Sequence, residues 1–155
     1  MTPIDHPVLN DTVRRIVDGP HLSILATTDP DGKPQTSVIF IKREGEYILF
    51  STIKGRRKTT NMGRDPRVNL LVQSLPVLGP NYATIAGTVE LFDDPDGSFH
   101  QEMYDIHMGG ATPPPEPGAV RVIVRIHART VYLPPDRTPV PTESEPQTGI
   151  GTGFS

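Results

Sequence analysis

The chain has 155 residues, 35% hydrophobic and 21% charged, which suits one soluble domain able to bury a single core. Its 18 prolines and 14 glycines disfavour a helix bundle and suit short strands joined by turns. A net charge of −3 argues against a nucleic-acid-coating protein, and the lack of cysteine excludes disulfides, a thiol nucleophile and thiolate metal ligation.

In chain order, Pro7 to Asp18 reads as a helix with Leu9, Val13, Ile16 and Val17 on one face. Asp5 suits its cap, Pro7 its first turn, and Gly19-Pro20 its end. A strand over His21 to Thr28 leads through the turn residues Asp29-Pro30-Asp31-Gly32-Lys33-Pro34 into a second, Gln35 to Arg43. Glu44-Gly45 turns the chain into a third, Glu46 to Thr52, so a three-strand meander is expected. Lys54 to Arg64 is polar and basic and reads as a short helix ended by Asp65-Pro66. Strands over Arg67 to Ser74 and Tyr82 to Phe92 follow. Pro95 to Met108 then reads as an amphipathic helix with Phe99, Met103, Ile106 and His107 on one side.

Gly109 to Gly118 holds four prolines and cannot be a regular element. Ala119 to Leu133 alternates through Val120, Val122, Val124 and Ile126 as the longest strand. Six strands, the first three tightly connected, predict a mainly β, antiparallel barrel with short flanking helices. Residues 1–133 form the expected domain. Residues 134–155 are a tail rich in Pro and Gly, too poor in apolar side chains to pack alone, with a neighbouring subunit the expected support. No apolar run nears the ~20 residues of a membrane span, and no basic-then-apolar leader opens the chain, so a cytoplasmic protein without a membrane partner is expected.

The sharpest chemical feature is Phe50-Ser51-Thr52-Ile53-Lys54-Gly55-Arg56-Arg57-Lys58-Thr59-Thr60-Asn61. A strand ends in two hydroxyl residues, and a glycine turn then presents four cations at a helix start. Backbone N–H groups, hydroxyls and cations converging there suit a phosphate. The spacing is not that of a P-loop. A solvated basic turn is the bland alternative. A nucleic-acid contact is disfavoured by the acidic balance and by the lack of interleaved aromatics.

Several segments in order carry a resemblance: His21-Leu22-Ser23-Ile24-Leu25-Ala26-Thr27, Asp31-Gly32-Lys33-Pro34-Gln35, Ser51-Thr52 with Gly55-Arg56-Arg57-Lys58, Asp65-Pro66-Arg67-Val68, and Thr84-Ile85-Ala86-Gly87-Thr88-Val89-Glu90. The chain resembles the pyridoxamine-phosphate-oxidase-like split β-barrel family, and within it the branch that uses coenzyme F420, over roughly residues 8 to 133. The resemblance implies a six-stranded split barrel of the FMN-binding type, and a homodimer with cofactor sites at its interface. It implies that Ser51, Thr52, Arg57 and Lys58 hold the cofactor phosphate, with Lys54 and Asn61 assisting. Ser37, Val38 and Ile39, with Phe40, would offer backbone groups and an apolar wall to the ring. The oxidases proper carry an arginine where this chain has Ser37, a departure that favours the deazaflavin over FMN.

The expected activity is hydride transfer from reduced F420 to a small organic acceptor. The alternatives are an FMN-binding oxidase or reductase, and a non-catalytic protein that binds F420, FMN or haem. No residue is singled out as catalytic, because the cofactor carries the chemistry. No metal site is expected either, since His100 and His107 lie seven apart without further ligands. His6, His21 and His127 have no visible partner, and Gly149, Gly151 and Gly153 are not a dinucleotide fingerprint. Asn10-Asp11-Thr12 fits a glycosylation sequon without a secretory leader, so it is discounted. Residues 75–81 and 109–118 are the expected variable rim of the acceptor pocket.

Overall fold

The computed structural model describes residues 8–77 and 80–134. Their order is α1 (Asp11–Asp18), β1 (His21–Thr28), β2 (Pro34–Ile39), β3 (Lys42–Glu44), β4 (Tyr47–Ile53), α2 (Arg57–Arg64), β5 (Arg67–Ser74), β6 (Tyr82–Asp93), α3 (Ser98–His107) and β7 (Arg121–Tyr132). Proposals for Asp5, His6, Pro7 and the bulk of the tail fall outside these residues. Helix α1 begins later than its periodicity predicts. Asn10 caps it, its side-chain oxygen accepting from the Val13 N–H at 3.0 Å.

All seven strands form one sheet in the order β2-β1-β5-β6-β7-β4-β3, with every pair antiparallel. Its two edge strands, β2 and β3, are linked only by Phe40 and Ile41. Two residues span on the order of 10 Å, so the sheet must curl until its edges approach, which makes a split barrel. Ile41 is buried at that seam. The count is therefore seven strands rather than six. The segment predicted as one strand, Gln35 to Arg43, breaks where it crosses from one edge to the other. The expected meander is corrected for the same reason: β2 pairs with β1, β3 with β4, and β2 never meets β4.

The inward side chains of the strands, among them Leu25, Ile48, Phe50, Leu70, Ile85, Val124 and Ile126, fill the barrel. Leu9, Val13, Ile16 and Val17 of the α1 region join this core, as does Met62 of α2. Helix α3 covers the outer face of β4, where Phe99 and Met103 meet Leu49 and Ile123. Ile106, expected on that buried side, is exposed instead, and β6 equals β7 in length at 12 residues.

Candidate functional site

Strand β4 delivers its side chains alternately to the two faces of the sheet. Phe50 and Thr52 point into the barrel, while Leu49 and Ser51 point out. Ser51 and Thr52 therefore serve different surroundings. The Thr52 hydroxyl is buried 3.1 Å from that of Thr59, which itself donates to the Ile53 carbonyl at 2.8 Å. Thr59 has one hydroxyl proton, so Thr52 donates to Thr59. The pair fixes the start of α2 against the end of β4.

Between them, Gly55 adopts a left-handed φ of 91° and turns the chain. Arg56 occupies the N-cap of α2, where no side chain caps the helix and its first turn carries no acid. The N-terminal dipole and its N–H groups are thus left to the surrounding cations, an arrangement that favours an anion.

The cations differ in what they hold. Arg57 grips Asp29 with both Nε, at 2.8 Å, and Nη2. Asp29 also accepts from Asn61 Nδ2 at 3.0 Å, and these bonds hold its carboxyl well below the usual range, at about 2. Buried Asn61 donates to the Thr27 hydroxyl as well, at 3.0 Å. Arg64 donates to the Thr28 carbonyl, and Lys54 lies 3.6 Å from Asp93 at the surface. Lys58 is half-buried, its Nζ 3.5 Å from the Ser37 hydroxyl. Among the described residues neither Lys58 nor Arg56 has a carboxylate within ion-pair distance. Burial, and then the Arg56 charge, push the Lys58 ammonium below its ordinary pKa.

On the outer side of the same strand end stands Arg121, opposite Ile53 on β7. Its Nη1 donates toward the Ser51 hydroxyl at 3.4 Å and its Nη2 to His100 Nε2 at 2.7 Å. Its Nε and Nη2 grip the Glu116 carboxylate at 3.0 and 2.8 Å. Since arginine only donates, His100 Nε2 carries a lone pair and the ring is neutral with its proton on Nδ1. Burial and the Arg121 charge lower the His100 pKa accordingly.

The predicted residues are thus drawn into two groups. Ser37, Thr52, Arg57, Lys58 and Asn61 lie on the barrel side of the β4–α2 turn, Arg57 and Asn61 joined through Asp29. Ser51 faces outward toward Arg121. Lys54 lines a cavity of about 350 Å³ with Gly55, Thr59, Thr60 and Val122. A second, of about 530 Å³, is lined by Asp29, Arg57, Thr60, Asn61 and Arg64. On β2, Ile39 is buried and Val38 exposed on the opposite face. Among the described residues that strand is an edge bonded only to β1, so backbone groups on its other side face away from the sheet.

Arg121, Glu116, His100 and Asp29 stand among these groups although no sequence pattern marks them as site residues. They come from β7, an irregular loop, α3 and a turn, and no local spacing links them. Among the described residues no group of three His, Asp or Glu is placed to hold a metal, and no helix is long and apolar enough to cross a membrane.

Residues 9–133 match the profile of the family described as pyridoxamine 5'-phosphate oxidase. Among solved structures, one named F420 Reductase is 29% identical, with a TM-score of 0.69 over 77% of this chain and 94% of that one. General Stress Protein 26 from Bacillus anthracis is 19% identical, with a TM-score of 0.59 over 79% of this chain and 90% of its own. A FAD-binding protein from Mesorhizobium loti is 19% identical, with a TM-score of 0.55 over 76% and 88% of the two chains.

Proposed function

The chain belongs to the pyridoxamine 5'-phosphate oxidase family, and from that membership we propose that it binds coenzyme F420 at the β4–α2 turn and reduces a small organic acceptor. The observation that carries this reading is Lys58, a half-buried cation facing Ser37 beside an uncapped helix start, with no carboxylate partner among the described residues. A buried charge without a counterion is costly, and a cofactor phosphate would supply one.

Reduced F420, when bound, supplies a hydride. The chain's own residues hold, orient and shield. Lys58 and Ser37 would take phosphate oxygens from the barrel side. Arg57 Nη1, without a partner among the described residues, would add a donor, and Ser51 would reach the ligand from the outer face of β4. Thr52 and Asn61 keep α2 and Asp29 in place rather than reaching the ligand. Lys54, tied to Asp93, would add charge at the rim. The open edge of β2 at Ser37, Val38 and Ile39 would meet the ring, with Phe40 and Val38 excluding water. A second copy of the chain would complete the acceptor pocket.

FMN is the second reading, favoured by the family itself. A hydroxyl at Ser37 in place of the oxidases' arginine, and the 29% likeness to F420 Reductase, support the deazaflavin. Titration of the purified protein with F420 and with FMN tests the choice. Lys58→Ala is expected to weaken F420 binding by about tenfold or more while the melting temperature holds. Turnover at saturating cofactor should fall far less, because the phosphate is remote from the reacting ring. Unchanged affinity would remove the site. Tight binding without oxidation of the reduced cofactor across a panel of acceptors would make the protein a carrier.

A further inference from the structure

We propose that Arg121 is a further anion-binding residue of this site, and that Glu116 occupies its place until a ligand phosphate or carboxylate displaces it. The inference rests on the proposed cofactor site, to which Arg121 is joined through Ser51, 3.4 Å from its Nη1.

The arrangement around Arg121 is unlike an ordinary surface pair. Its side chain is only 13% exposed, and its two ends are engaged differently. One end meets scaffold groups, His100 on α3 and Ser51 on β4. The other, Nε with Nη2, makes the two-pronged grip that carboxylates and phosphates share, and it is filled by Glu116. Glu116 belongs to no helix or strand. It lies in the proline-rich connection between α3 and β7, and its side chain is 31% exposed. A rigidly seated guanidinium is thus neutralised by a carboxylate on an irregular segment. His100, being neutral, keeps Arg121 aimed without competing for its charge.

An internal competitor lowers apparent affinity by the fraction of molecules in which it holds the site. Glu116→Gln should therefore tighten anion binding, the opposite of what loss of a supporting contact would do. The test titrates wild type, Glu116→Gln, Arg121→Ala and the double variant with F420, FMN and inorganic phosphate, following melting temperature in parallel. Glu116→Asp, whose shorter arm keeps the charge but shifts the grip, serves if the glutamine variant is unstable.

Expected are about threefold or greater tightening in Glu116→Gln, about tenfold or greater weakening in Arg121→Ala, and no gain from Glu116→Gln once Arg121 is gone. The anions that respond identify whether phosphate alone or the larger cofactor displaces Glu116. If Lys58→Ala weakens binding but neither Glu116 variant tightens it for any of the three anions, the inference is overturned and the cofactor site stands. If none of the three binds the wild-type chain, both fall.

Discussion

A guanidinium can offer one edge to only one acid at a time, and Arg57 offers its Nε–Nη2 edge to Asp29. The two partners are not equals. The Arg57 side chain is 68% exposed, whereas that of Asp29 is 7% exposed, so the buried anion depends on the solvated cation. Asp29 is held at about 2 against an ordinary 3.8, first by the Arg57 bond and then by Asn61. A carboxyl whose folded pKa is depressed stabilises the fold above its unfolded pKa and loses that contribution as pH falls through the folded one. Asp29→Asn should therefore lower the melting temperature at pH 6, and the gap to wild type should narrow as pH drops from about 4 to about 2. Parallel melts across that range decide it, and a gap independent of pH would show that packing at residue 29, not its charge, matters. Arg57→Ala would likewise cost stability as well as affinity, because it strips a buried carboxylate of its main partner. Lys58 has no such debt, which makes it the cleaner probe of ligand binding.

At the scale of elements, two glycines carry opposite expectations. Gly87 sits at the irregularity between β6 and β7, where a Cβ would stand 2.3 Å from the His127 carbonyl oxygen. Backbone must shift to admit it, so Gly87→Ala should destabilise by about 1–3 kcal/mol. Gly63, in the last turn of α2, has nothing within 4 Å of its would-be Cβ, and Gly63→Ala should add about 0.5 kcal/mol. Chemical denaturation of both variants checks the pair. The same elements show what a one-dimensional pattern can reveal. β5 spans Arg67–Ser74 as its alternation predicts, and β1 likewise spans His21–Thr28. Strand period is local, so it was legible. The break at Phe40–Ile41 was not, because those residues keep the apolar, β-branched and aromatic character of the run around them. Only closure of the sheet makes the chain change edges there. The basic run 54–64 likewise points to an anion, but which of its cations stay without an acid depends on Asp29 and Asp93, folded in from elsewhere.

At the scale of the whole molecule, the outer face of the sheet carries an uninterrupted cross-strand row. Val38 stands opposite Ile24, Ile24 opposite Leu71, Leu71 opposite Thr84, and Thr84 opposite Tyr132. The two ends, Val38 and Tyr132, are each 61% exposed. Beside the row lies a groove of about 710 Å³ that includes Thr28, Asn69, Thr88, Arg67 and Arg129. A row apolar but for Thr84, rimmed by polar groups and arginines, suits protein contact better than water. The homodimer implied by the family resemblance would bury this face, and it would set Val38 of β2 at the interface, next to the edge proposed to meet the cofactor ring. Light scattering at micromolar concentration should therefore give twice the 17.0 kDa chain mass. Val38→Glu with Tyr132→Glu places like charges in a surface that must meet its own copy, and should shift the particle toward a monomer. Tyr132→Glu alone, at a side chain given no part in the cofactor site, should lower cofactor affinity as the dimer dissociates, whereas Val38→Glu would also touch the proposed ring site directly. A wild-type chain that scatters as a monomer would refute the assembly. A dimer that survives both glutamates would place the contact on another face, and the acceptor pocket would then have to be built without β2's outer side.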